Sequence, residues 1–354
     1  MKHIYLYNFL SAIIFVNLIS AGNVSAFTGE GSGTENDPYQ ITNVDQLQEM
    51  NNDLTAHYVL MNTIDASATS SWNGGNGFEP IGNDSTAFRG SLDGQGHSIT
   101  GLFIDRSSDD YIGLIAHVGY EGRIVDVSLV DCYVAGNKRT GSLIGANSGD
   151  IKDCSASGEV VGNEVVGGLI GSFENAVIED SYSAVVVEAS HMVGGLIGYV
   201  SDGNIIRCHS TGNITAYQRV GGLIGYNMNV SEWDGLDKVS CCYSPSNITG
   251  TGNDEWGWIG GLIGVNSAKI YQSYATGNIL ANQNVLGGLV GSHTAASIPS
   301  ILENCYATGS VNGGQKMIGG LVGYLGAYSA KAHVKKCFST GSVTGNEAIG
   351  GLVG

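Results

Sequence analysis

Ile205-Ile-Arg-Cys-His-Ser-Thr-Gly-Asn-Ile-Thr-Ala-Tyr-Gln-Arg-Val-Gly-Gly-Leu-Ile-Gly225 is one copy of a unit that this chain repeats. Ile151 to Gly171 and Val334 to Gly354 follow the same pattern. The closing string Gly-Gly-Leu-Ile/Val-Gly recurs at Gly167, Gly194, Gly221, Gly260, Gly287, Gly319 and Gly350. A Ser-containing variant begins at Gly141, and a worn copy reads Gly113-Leu114-Ile115-Ala116. From Leu114 the leucine-to-leucine steps are 29, 26, 27, 27, 39, 27, 32 and 31. Self-similarity at this period is the mark of a stacked array.

Each copy holds three short apolar segments separated by Gly, Asn, Ser or Asp. The separators form turns, and Val, Ile, Tyr and Thr favour strands. No segment keeps a helical apolar period. Three short strands cannot bury a face alone, but stacked copies give each strand a parallel neighbour about 4.8 Å away. The chain therefore predicts an all-β fold, a parallel β-helix or β-solenoid of about eight rungs. Equivalent residues should form ladders. One holds Cys132, Cys154, Cys208, Cys242, Cys305 and Cys337, with Ser181 and Ser273 in the other copies. Another holds Val160, Ile214, Ile248, Ile279, Val311 and Val343, and a third the leucines of the glycine string. A slot shared by Cys and Ser wants a small side chain, so the seven cysteines are read as unbridged. No Cys or His spacing suits a metal. The glycines after Thr (Gly212, Gly277, Gly309, Gly341) are expected to turn corners with positive φ. The paired glycines bend the strand or admit a neighbouring backbone. Leu262 and Ile263 cannot both point inward along a flat strand, and the sequence leaves that open. The copy from Cys132 to Gly141 looks short, as if its rung were incomplete.

The region before the repeats differs in kind. Asn43-Val-Asp-Gln46 reads as a capping box opening a helix over 44–54, with Leu47, Met50 and Leu54 on one face. An open stack end exposes strand edges, so this helix is expected to cap the first rung. Residues 58–61, 88–92 and 98–104 read as strands entering the stack. The organisation is thus a leader over 1–26, a cap with first strands over 27–110, and a solenoid over 111–354. That solenoid stops inside a repeat, as though cut short.

Residues 1–26 carry a Lys2-His3 start, an apolar run from Phe9 to Ile19 and a small-residue site at Val24-Ser-Ala26, the pattern of a secretory leader. No later stretch is long enough for a membrane helix. The formal charge is −17, with only 15 Lys and Arg among 354 residues. That excludes nucleic acid and anionic membrane surfaces as partners, since both need clustered cations. With 42% apolar residues in register, disorder is excluded too.

The repeated Gly-Gly-Leu-Ile-Gly unit resembles the GLUG motif over about residues 112–354. Gly31 to Asp65, with Phe88-Arg-Gly-Ser-Leu-Asp-Gly-Gln-Gly-His97, resembles the lead-in found before such repeats in large secreted and surface proteins. The resemblance implies a β-helical, exported, often adhesin-like protein, and supplies no catalytic residue. The motif also occurs in the non-catalytic part of some secreted IgA-type metallopeptidases, but no His-Glu-x-x-His stands in this chain.

Candidate chemistry is sparse. Tyr133, Tyr182, Tyr243, Tyr274, Tyr306 and Phe338, interrupted by Ser155 and His209, form a ladder that either stacks on sugars or stacks on itself. Asp131, Asp153 and Asp180 precede the Cys/Ser slot on successive rungs and could hold Ca²⁺, or they are solvated surface acids, Asp180 relieved by Arg207. Asp93 and His97 fit a tight turn better than an acid–base pair. The 39-residue step brings in Trp233, Asp234, Trp256 and Trp258, and insertions of this kind often carry the binding face. The expected function is a non-catalytic secreted or cell-surface solenoid, without a required cofactor, contacting extracellular carbohydrate or protein. The alternatives are a polysaccharide-active β-helix lyase or glycoside hydrolase, or the non-catalytic part of a larger secreted peptidase.

Overall fold

The computed structural model describes residues 27–228, 238–253, 256–295, 298–327 and 330–354. The leader-like segment, Trp233 and Asp234 lie outside the described residues. The chain is a parallel β-solenoid of about nine turns. One coil shows the plan. Ile263–Asn266 and Lys269–Tyr271 belong to one sheet. Tyr274–Ala275, Ile279–Ala281 and Leu286–Gly287 belong to the other. The sheets hold 17 and 22 strands among the described residues.

Strands pair with their equivalents one coil on, in register apart from one shift between Ala156 and Gly158. Ile263 pairs with Ile224 and Val290, Ile279 with Ile248 and Val311. Val160 joins Val187, and Val187 joins Ile214, so the aliphatic ladder has no gap. These side chains are buried and form one hydrophobic cluster along the stack. Parallel strands covered on their inner face read as β-branched aliphatics for this reason.

The glycine string is not a single strand. Its first glycine ends one strand and its isoleucine begins another, in the other sheet, so Gly-Gly-Leu is a corner. That is why Leu262 and Ile263 are both fully buried. The corner keeps its backbone ladder: Leu262 N–H donates to Leu289 O at 2.8 Å and Ile263 N–H to the same oxygen at 3.1 Å. A Cβ on Gly260 would overlap Ile263 O of its own coil, and one on Gly261 would overlap Gly288 O of the next. Gly212, Gly277, Gly309 and Gly341, expected in left-handed geometry, are absent from the positive-φ glycines. They are instead points of close approach, where a Cβ would meet the carbonyl of the coil before, as at Gly277 O for Gly309.

The left-handed corners fall on other residues. Asp126, Asp153, Asp180, Arg207, Cys241, Gln272, Asn304 and Lys336 all have φ between 48° and 56°. Each stands just before the Cys/Ser slot. Asn and Asp tolerate this conformation best, and stacking imposes it on the rest. Cys132 does not share the slot. Ser155 pairs with Ser128, so Cys154 stands over Val127, and a register shift places Cys132 beside Gly158. With Val127 in the slot, that coil is full length. In the slot itself, Ser181 Oγ accepts from Cys154 N–H at 3.0 Å and donates to Glu179 O at 2.8 Å. Cys and Ser both fit because each is small and meets a carbonyl. All seven cysteines are unbridged.

At the N-terminal end, Val44–Glu49 is α-helical and Met50–Asn52 continues as a 3-10 turn. Asn43 Oδ1 accepts from Gln46 N–H at 3.0 Å, while Gln46 Oε1 takes the N–H of Thr42, one residue before the cap. Leu47 and Met50 are fully buried in the core cluster. Gln48 trades hydrogen bonds with the backbone of Glu79 at 2.9 and 3.0 Å, fastening the helix to the next loop. His57–Leu60, Ser91–Asp93 and Ser98–Thr100 enter the stack as parallel strands.

Candidate binding surface

Outward side chains also form columns, and their chemistry separates structure from surface. Tyr182, His209, Tyr243, Tyr274, Tyr306 and Phe338 stack in an unbroken file, with centroids 4.6–5.1 Å apart and planes within 7° of parallel. Each inner ring has both faces against neighbouring rings, which leaves no face for a sugar. Burial pushes the His209 pKa down, which favours a neutral imidazole in the file. Tyr133 belongs elsewhere: it stacks on Phe103 at 5.1 Å and pairs with Glu159. Ser155 instead precedes Tyr182 in the file.

Asp153 and Asp180 do stand on adjacent rungs, with left-handed backbones. Asp131 is off their column, because Asp126 is the residue that stands under Asp153. Arg207 covers Asp180 from the next rung with bonds of 2.6 and 2.7 Å and lowers its pKa. Among the described residues no three His, Cys, Asp or Glu side chains gather as a metal cluster. Asp93 and His97 lie in a turn: Gln95 N–H donates to Asp93 Oδ1 at 2.9 Å, and His97 N–H to Gly94 O at 2.9 Å.

The irregular coil behaves differently. A second left-handed column, two residues before each glycine pair, includes Arg219 (φ 55°) and Trp258 (φ 49°). Arg219 lies 5.1 Å from the Trp258 ring and 5.9 Å from that of Tyr226. Trp258 in turn stacks on Trp256 at 5.8 Å, and 43% of Trp256 is exposed. Arg219 N–H donates to Gly257 O at 2.7 Å, and Gln218 Nε2 to Trp256 O at 2.9 Å. The tryptophans are thus tied to the strand Ile214–Gly221.

That strand and Tyr182–Gly194 floor a groove of about 770 Å³. Glu188, Ser190, His191, Thr215, Tyr217 and Thr251 supply its polar and aromatic lining. Tyr217 meets His191 edge to face at 5.2 Å. The sequence signal for this groove was the insertion itself. The residues from earlier coils were missed, because Glu188, His191 and Tyr217 occupy variable positions of the repeat.

A second cleft, of about 500 Å³, opens near the N-terminal end and was also missed. His57 Nδ1 lies 2.8 Å from Ser91 Oγ, with Glu35, Asp93, Glu121 and Arg123 around them. The pair is within reach for proton transfer. His57, Ser91 and Arg123 are successive members of one strand column, which explains their proximity.

The model of the GLUG motif matches residues 136–161, 189–215, 282–312 and 314–344. The chain carries GLUG repeats. The second GLUG match contains the groove residues His191 and Thr215. Over 161 residues the chain is 45% identical to Halomucin of Haloquadratum walsbyi, covering 44% of this chain and 2% of that protein. Over 168 residues it is 36% identical to a candidate Gly-rich membrane protein of Evansella cellulosilytica, covering 44% of this chain and 19% of that one. The GLUG chain therefore spans only a small part of either relative. Among solved structures, a candidate immunoglobulin A1 protease from Bacteroides ovatus superposes with a TM-score of 0.59 at 23% identity. That match covers 72% of this chain and 79% of the other, and it speaks to the fold. Among the described residues no helix is long and apolar enough to cross a membrane.

Proposed function

We propose that this GLUG solenoid is exported and works outside the cell, adhesin-like and without catalysis, by presenting a binding surface to carbohydrate or protein. The observation that carries this reading is the groove lined by Glu188, His191, Thr215, Tyr217 and Thr251. The regular outward columns are occupied by their own stacking, whereas here the ring of Tyr217, without a parallel neighbour among the described residues, lines a polar groove. The leader-like start at 1–26 supports export. The similarity to Halomucin and to a Gly-rich membrane protein supports a place at the surface. Hydrolysis of a glycoside needs two carboxylates at a set separation. The carboxylates first suspected here, Asp131, Asp153 and Asp180, do not share one column.

The reading is tested by expressing the full chain and locating it. The expected result is a product outside the cytoplasm beginning at Phe27, and beads coated with it that adhere to extracellular glycans or proteins. A chain that keeps residues 1–26 in the cytoplasm, on beads that adhere to neither, overturns the reading.

A further inference from the structure

We propose that the groove between Glu188, His191, Thr215, Tyr217 and Thr251 is a binding site for a neutral glycan. The inference rests on the surface-binding reading above and gives it a ligand class.

Sugar rings present an apolar C–H face and a rim of hydroxyls. A site for them needs an aromatic plane that is not already stacked and polar groups around it. Tyr217 lines the groove half-buried and meets His191 edge to face, with no parallel ring on it among the described residues. The six-ring file on the same solenoid lacks that property at its inner members. Around the groove, Glu188 accepts, Ser190, Thr215, Thr251 and Tyr217 both donate and accept, and the imidazole of His191 does either. The groove volume lies within the usual range for small-ligand sites.

Charge selects among glycans. The lining holds one carboxylate, Glu188, and neither Lys nor Arg. The chain as a whole carries −17. A uronate or sulfated polymer would meet repulsion without a counter-charge in the groove, whereas a neutral hexose chain meets only hydrogen-bonding partners.

The site is also built before any ligand arrives. Gln283 is fully buried, and its Nε2 donates to Tyr217 O. A Cβ on Gly252 would collide with that same amide, and one on Gly257 would come within 2.8 Å of Gln283 Cβ. Gln283 is therefore a positioning residue that holds the strand of Tyr217 against the backbone of the tryptophan loop. Such prior order lowers the cost of binding.

The test titrates the full chain with neutral hexose oligosaccharides and with polygalacturonate by calorimetry, alongside His191→Ala, Tyr217→Ala and Tyr243→Ala. The expected result is binding of a neutral oligosaccharide that weakens at least about tenfold in the first two variants. Tyr243→Ala, in the stacked file, should bind as the wild type does. Circular dichroism melts show that each variant is folded. Equal affinity in all variants overturns the site. Binding of polygalacturonate alone, or of no glycan, overturns the ligand class. The bead adherence assay decides the surface-binding reading separately in each case.

Discussion

A methyl group on Gly261 would overlap the carbonyl oxygen of Gly288 in the next coil. The glycine is required by the spacing between coils rather than by a left-handed backbone. Gly261→Ala should therefore destabilise the chain by about 2–3 kcal/mol, the usual scale for overpacking, read as a lower urea midpoint. His293 shows a second single-residue effect. It is fully buried, with Nδ1 3.0 Å from Asn266 and Nε2 3.4 Å from Ser300. Burial pushes its pKa down from 6.5 to about 4. The unfolded chain then binds a proton between these values and the folded chain does not, so stability falls as pH drops from about 6.5 to about 4. The loss attributable to this group approaches about 3 kcal/mol. His293→Asn, which repeats the residue found at Asn266 one coil earlier, should flatten that part of the profile. Melting temperatures of both proteins at pH 7 and pH 4.5 check this.

Columns are the elements of this molecule. The Val160-to-Val343 ladder was legible in the sequence, because apolar identity survives from copy to copy. The capping helix was legible too, since Asn43, Leu47 and Met50 sit at the spacing a helix needs. Two things were not. Whether the glycine string bends stayed open, because its corner has no Pro or charge to mark it, and the joint burial of Leu262 and Ile263 decides for the bend. Cys132 read as a ladder member from its neighbours Asp131 and Tyr133, but a register shift between Ala156 and Gly158 moves all three off their columns. The Asp column is also a turn position, since Arg207, Gln272 and Lys336 adopt the same φ. Of the candidate site, the insertion that carries Thr251 was legible. The rest of the groove is assembled from different coils by stacking alone. For the aromatic file the stacking account makes its own prediction. Tyr243→Ala removes contacts to His209 and Tyr274, at about 0.5–1.5 kcal/mol each. The unfolding free energy from urea titration should fall by about 1–3 kcal/mol.

At the scale of the whole molecule, each coil contacts chiefly its neighbours, so stability accumulates along the stack. A regular stack spends its repeated residues on mutual support, and binding chemistry concentrates where the regularity breaks. In this chain the break is the 39-residue step, and Thr251 within it lines a groove otherwise supplied by the preceding coils. The His57–Ser91 cleft is the place from which hydrolysis would contradict a binding role. The most direct test of the central claim is therefore retention set against turnover. The full chain is passed over an immobilised neutral polysaccharide, and released reducing ends are assayed over a day. The account predicts that the chain is retained and that reducing ends stay at the level of the protein-free control. Reducing ends that rise in proportion to protein, and stop rising in His57→Ala, would contradict it.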